Sequence, residues 1–206
     1  MSKYGLRNNK AWFKEVKGDK VIVENKIPVQ YIIPKTVAES TTALIEAWNV
    51  NSGGTAAKTN ENLTNQPPYA MQISVQAVAA GTAGGGDVLA IVGYDAKGQS
   101  ISENVAIQST VGGINYSNNA FAKITSITPN SAAVKSTDVN IGYKGVIGLP
   151  YPLAQASDVI SYTYDGAYGT AAVDSLTIST TYNTLTLPAM AASKTVSILY
   201  LSKLQD

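Results

Sequence analysis

Chemistry in this chain would have to come from a short set of residues. It holds 206 residues, among them 15 Lys and Arg, 14 Asp and Glu, no Cys and no His. Without His it lacks the commonest general base, the commonest transition-metal ligand and every His-containing triad. Without Cys it has no disulfide scaffold, thiolate metal site or thiol nucleophile. Asp87, Asp95 and Glu103 lie close together in sequence around one predicted hairpin. A carboxylate pair there could do acid–base work or hold Ca²⁺ through oxygen. Asp95 has an evident turn role, however, and Asp87 precedes a strand, so structural roles are expected. Ser193-Lys194 and Ser202-Lys203 are the surviving nucleophile–base pairs. Neighbours along a strand point to opposite faces, so these pairs are not expected to meet. Gly84-Gly85-Gly86 is followed by Asp87 and a strand rather than by Lys-Ser/Thr and a helix, which makes it a hairpin linker and not a phosphate loop. Tyr162, Tyr164 and Tyr168 cluster near Asp165-Gly166, where they could form a stacking platform for a carbohydrate. No catalytic, metal or cofactor-binding residue is assigned, and no cofactor is expected.

The elements that would position these residues are strands. Thr, Ser, Val, Ile, Tyr, Gly and Asn dominate, which suits a pleated, half-buried surface joined by turns. Met71, Ile73, Val75 and Ala77 alternate with polar residues, the period of a strand with one buried face. Val88–Val92 is a near-continuous apolar run, as a strand buried on both faces would be. Asp95-Ala96-Lys97-Gly98 then predicts a hairpin turn returning through Ile101, Val105 and Ile107. Further strands are predicted at Val21–Val23, Val29–Ile33, Phe121–Ile127, Val139–Tyr143, Val159–Tyr164, Leu176–Ile178, Leu185–Leu187 and Val196–Tyr200. Residues 36–49 approximate a helical stripe through Val37, Leu44, Ile45 and Trp48. Gly145–Pro152, with two Gly and two Pro in eight residues, is expected to be irregular. The chain therefore predicts an all-β protein: an antiparallel sandwich or barrel-like domain over 66–206, an irregular segment with a short helix and loop over 35–65, and an extended basic arm over 1–34.

Charge is placed unevenly. Residues 1–30 hold seven bases and three acids, a balance of +4, and the remainder holds eight bases and eleven acids, a balance of −3. A basic arm of this kind can dock on an acidic surface. It carries Trp12 and Phe13, and the strand Val29–Ile33 is bracketed by Pro28 and Pro34, as befits an edge. Arg7, Trp12, Phe13, Val29, Tyr31 and Ile33 are the expected subunit contacts. The N-terminus has no apolar stretch of a secretory signal, and no run approaches the length of a membrane span, so use without export or membrane insertion is expected.

From residue 65 the order of segments resembles tailed-bacteriophage virion proteins of the decoration or cement type. The similar pieces are Asn65–Tyr69, Val88–Ser102 leading into Glu103-Asn104-Val105, Asn119–Ile127, Val139–Lys144, Gly148–Leu153, and Ser157–Ile160 before Tyr164-Asp165-Gly166. The resemblance implies a non-enzymatic virion protein that binds a capsid or other virion proteins, forms homo-oligomers, and contacts neither a specific nucleic acid nor a membrane. A tail, fibre or filament subunit and a carbohydrate-binding β-sandwich module are the alternatives.

Overall fold

Short β-branched runs separated by Gly, Asn, Pro and Ser fold here into strands, sixteen among the described residues. The computed structural model describes residues 13–17, 20–24, 26–50, 58–59, 63, 65–78, 87–129, 137–165, 167–168, 176–187 and 192–203. The strands are β1 Phe13–Lys17, β2 Lys20–Glu24, β3 Lys26–Ile33, β4 Ser40–Val50, β5 Lys58–Thr59, β6 Met71–Ala77, β7 Val88–Tyr94, β8 Ser100–Ala106, β9 Ile114–Phe121, β10 Lys123–Pro129, β11 Thr137–Gly148, β12 Val159–Tyr164, β13 Ala167–Tyr168, β14 Thr177–Ser179, β15 Thr184–Thr186 and β16 Val196–Lys203. One 3-10 turn spans Ala156–Asp158. The fold is all-β and antiparallel, as expected.

Three sheets build the body, in the orders β5-β10-β7-β8, β14-β15-β11-β6-β9 with β4 also on β11, and β13-β12-β16-β3. A separate hairpin, β1-β2, precedes them. Two apolar cores result. The first gathers Leu44, Trp48, Ile73, Val75, Leu89, Ile91, Val105, Phe121, Ile124, Ile127, Val139 and Ile141. The second gathers Ile33, Ile147, Leu149, Leu153, Val159, Tyr162, Leu185, Val196, Ile198 and Tyr200. β11 runs through both. Its first half lies between β4 and β6, and its second half pairs with β15.

The three glycines of β11 explain how it fits. A Cβ on Gly142 would sit 1.8 Å from the Ser40 carbonyl oxygen, one on Gly145 would sit 2.9 Å from Glu39 Oε1, and one on Gly148 would sit 2.7 Å from Ala120 Cβ. Glycine within a strand marks such close approach. Residues 145–148 are therefore strand and not the irregular segment predicted from their composition. A register shift between Lys144 and Ile147 absorbs the change of partner, and the Gly145 amide there donates to Glu39 Oε1.

The predicted helix over 36–49 is also corrected, because 40–50 is β4. Its buried residues, Leu44, Ile45, Trp48 and Val50, break the two-residue period because the strand is bulged. Ile45 faces Ile141 and Trp48 faces Val139, so three steps on β4 match two on β11. Ala47 takes φ 47°, and its amide donates to Asn140 Oδ1 at 2.9 Å. The resulting spacing imitates a helical stripe. Phe121–Ile127 is two strands, turning at Ala122, whose amide donates to the Tyr94 carbonyl. β7 buries one face fully (Leu89, Ile91, Gly93) and the other partly, rather than both.

Gly142→Ala is expected to lower stability by about 3 kcal/mol or more, the upper end for forced overpacking against a backbone atom that cannot swing aside. Urea denaturation checks this, and an unchanged midpoint would contradict the packing described for β11.

Candidate functional site

The sheet β13-β12-β16-β3 has one face inside the protein and one outside. Val29, Tyr31 and Ile33 on β3 alternate with Pro28, Gln30 and Ile32, and the register sets Ile33 opposite Val196, Tyr31 opposite Ile198 and Val29 opposite Tyr200. These inward residues belong to the second core or pack against it, together with Val159, Tyr162 and Tyr164 of β12. Outward lie Pro28, Gln30 and Ile32, facing Leu201, Leu199 and Ser197, which in turn neighbour Ser161 and Thr163. A register shift between Val159 and Ser161 turns Ile160 outward as well. Ile32 is 53% and Ile160 46% exposed. Gln30 Nε2 donates to Ser197 Oγ across the outer surface. Between Pro28 and Ile32, and across the matching stretches of β16 and β12, this outer face carries no charged residue. Depletion of charge around exposed apolar side chains is the composition of an interface core.

Both ends of the face are fixed. Lys26, at the start of β3, places Nζ 2.7 Å from Asp158 Oδ1, with the side chains 6% and 2% exposed. Asp158 also accepts from the Gln155 amide and from Gln155 Nε2. This pair ties β3 to the 3-10 turn ahead of β12 across the intervening β16. At the opposite end Lys194 meets Asp165 in an exposed pair. The hydrogen bond between them holds the Asp165 carboxyl below its ordinary range and raises the Lys194 ammonium. Thr36 locks the same corner. Its amide donates to the Lys194 carbonyl, and its carbonyl and Oγ1 accept from the Ser193 and Lys194 amides.

Beside this sheet the segment Leu149–Leu153 is held by side chains. Asn183, in the left-handed region at φ 53°, donates from Nδ2 to the Leu149 carbonyl and accepts at Oδ1 from the Leu153 amide. Tyr200 Oη accepts from the Tyr151 amide, and Ser202 Oγ donates to the Pro152 carbonyl. Tyr151 and Tyr182 remain exposed. Burial pushes the Tyr200 hydroxyl up to about 12, against the opposing effect of the Tyr151 amide, and pushes Tyr69, which accepts from the Val37 amide, to the same value.

The expected contact residues divide among these places. Arg7 and Trp12 lie outside the described residues, and Phe13 opens β1. Ile33 is buried in the second core, with Val29 and Tyr31 packed against it, so these three side chains face inward rather than outward as contacts. The outward alternation of this strand is instead that of Pro28, Gln30 and Ile32. The stretch 26–33 is likewise an integral edge strand and not an extended arm, and Lys26 is a buried ion-pair partner.

The other candidates for chemistry are accounted for by structural contacts. Asp95 Oδ1 accepts from the Lys97 and Gln99 amides, and Gly98 takes φ 82° as the turn requires. Glu103 accepts from both the amides and the side-chain Nδ2 groups of Asn118 and Asn119, joining the edges of β8 and β9. Asp87 is buried. Among the described residues no group of three or more acidic side chains is placed to hold a metal. Ser202 is buried, and Lys194 is taken up by Asp165. Tyr162 is only 6% exposed, which removes it from any stacking platform. No helix among the described residues is long and apolar enough to cross a membrane. Comparison with protein-family models, with curated proteins and with solved structures gave no match.

Asp158→Asn removes the Asp158 charge from the buried pair and is expected to cost about 3–5 kcal/mol, whereas Lys26→Met with Asp158→Leu is expected to cost less than either single change. A double-mutant cycle in urea reads this directly, and independent, additive losses would contradict it. A second expectation concerns alkali. The unfolded chain loses tyrosine protons near pH 10, while folded Tyr69 and Tyr200 hold theirs to about 12. The unfolded state then binds fewer protons, so stability falls as pH rises from 10 to 12, on the order of 2 kcal/mol for each group. Tyrosinate absorbance of the native protein should leave at least two of the twelve tyrosines, Tyr69 and Tyr200, largely un-ionised at pH 11. All twelve titrating near 10 would contradict it.

Proposed function

We propose that this chain is a non-enzymatic structural protein of a phage-type virion, most simply a decoration subunit that adds to a capsid surface through its outer β3-β16-β12 face. The observation that carries the reading is that face: exposed at Pro28, Ile32 and Ile160, with Leu199 and Leu201 half-buried between them, without charge, and locked at both ends. Rigid sheet faces of this composition bind other proteins. Support also comes from the His- and Cys-free composition and from structural partners for Asp95, Glu103 and Lys194. Low overall charge lets copies pack densely without strong mutual repulsion. The resemblance of the segments from Asn65 onward to decoration proteins gives the particle its class. A fibre or filament subunit differs in that its contact repeats without closing.

Light scattering on the full chain over a range of concentrations tests this. A discrete oligomer, or binding to phage shells stripped of their decoration protein, is expected. A chain monomeric at every concentration that ignores such shells would overturn the proposal.

A further inference from the structure

The segment Leu149–Leu153 is held unusually firmly around one exposed ring. The Leu149 amide donates to the Asn183 carbonyl at 2.9 Å, and the Leu149 carbonyl accepts from Asn183 Nδ2 at 2.6 Å. At the other end the Leu153 amide donates to Asn183 Oδ1 at 3.0 Å. Between them the Tyr151 amide donates to Tyr200 Oη, and the Pro152 carbonyl accepts from Ser202 Oγ. Pro150 and Pro152 fix φ on either side of Tyr151. These bonds take only the backbone of Tyr151, and the residue is 47% exposed. Asn183 also has Tyr182 as its chain neighbour, 42% exposed. Connecting segments are ordinarily the mobile parts of a fold. A ring whose backbone is fixed beforehand binds a ligand without the cost of ordering it.

The composition of the corner selects the ligand. Residues 145–157 and 176–187 contain no charged side chain, and besides the two tyrosines their exposed residues are only Ala, Ser, Thr and Gln. An anionic ligand would call for Arg or Lys, and a cationic one for carboxylates. A protein-binding hot spot would sit among depleted-charge, apolar neighbours that exclude water. Exposed aromatic faces among uncharged hydroxyl and amide groups suit a ligand with apolar C–H faces and neutral hydroxyls. We propose that this corner binds a neutral glycan, with sugar rings stacked on Tyr151 and Tyr182 and with Asn183 as the positioning residue. Tyr200, which holds Tyr151, belongs to the inward alternation of β16, whereas Leu199 and Leu201 face out. The corner and the outer face thus use opposite sides of one strand, and the proposal does not rest on the assembly reading.

The test applies the full chain to an array of neutral and acidic oligosaccharides, then titrates it calorimetrically with a neutral glycan that it retains. Tyr151→Ala and Tyr182→Ala are each expected to weaken binding by about tenfold or more with an unchanged melting temperature. Tyr151→Phe is expected to keep it, because the ring still stacks. Asn183→Gly tolerates the left-handed backbone at φ 53° and leaves both rings in the chain, but it removes two of the bonds that hold 149–153. It is expected to weaken binding as well. A chain that retains no neutral glycan, retains only acidic ones, or binds as tightly with Tyr151→Ala would overturn the proposal. Loss of self-association or of binding to stripped shells in Tyr151→Ala would make the corner a protein contact and overturn it too. A chain that binds the glycan but neither associates nor binds shells would overturn the assembly reading and leave this one standing.

Discussion

One strand holds the protein together. β11 lends Val139 and Ile141 to one apolar core and Ile147 to the other, and pairs along both of its edges. Neither core is closed without it. A strand bounded on both sides has no room for side chains where backbone or a neighbouring Cβ approaches, and Gly142 and Gly148 meet that demand. The partner change from β4 to β15 falls where Glu39 satisfies the amide released at Gly145. An unpaired buried amide there would cost on the order of a hydrogen bond's desolvation.

From this spine the outer face of the β3 sheet follows. The second core fixes the inner side of the β3-β16-β12 sheet through Ile33, Ile198, Tyr200 and Tyr162, so the outer side is presented rigidly. The Lys26–Asp158 pair is the polar counterpart of that core. Buried and 132 residues apart in sequence, it gives little net stability over apolar residues of like size, yet it sets where the edge strand begins. With β3 so registered, its outward residues are fixed by alternation alone. The carboxylates and lysine singled out for chemistry meanwhile serve as turn, edge and corner fasteners.

Much of this was legible in the sequence. Composition and the two-residue period located β3, β6, β7, β8, β12 and β16 and the Asp95–Gly98 turn, because each is a regular strand or a turn with local chemistry. What misled is tertiary. The bulge at Ala47 placed Leu44, Ile45 and Trp48 at helix-like intervals. The glycines of 142–148 answer to neighbours distant in sequence, which local composition reads as disorder of pattern. Both alternations of 28–33 carry apolar residues, so the sequence alone does not say which side is inward; the fold turns Val29, Tyr31 and Ile33 to the core and leaves Pro28 and Ile32 outside. Lys26 gave no local sign of burial, since Asp158 reaches it only in the fold.

Native-state hydrogen exchange along β11 tests the shared spine most directly. If one strand joins both cores and thereby makes the outer face of the β3 sheet rigid, the amides of residues 139–143 and of 146–148 exchange only by global opening, with one common free energy equal to that from urea denaturation. Two distinct free energies, one on each side of the register shift at Lys144–Ile147, would contradict it and would mean that the half bearing the β3 sheet opens on its own.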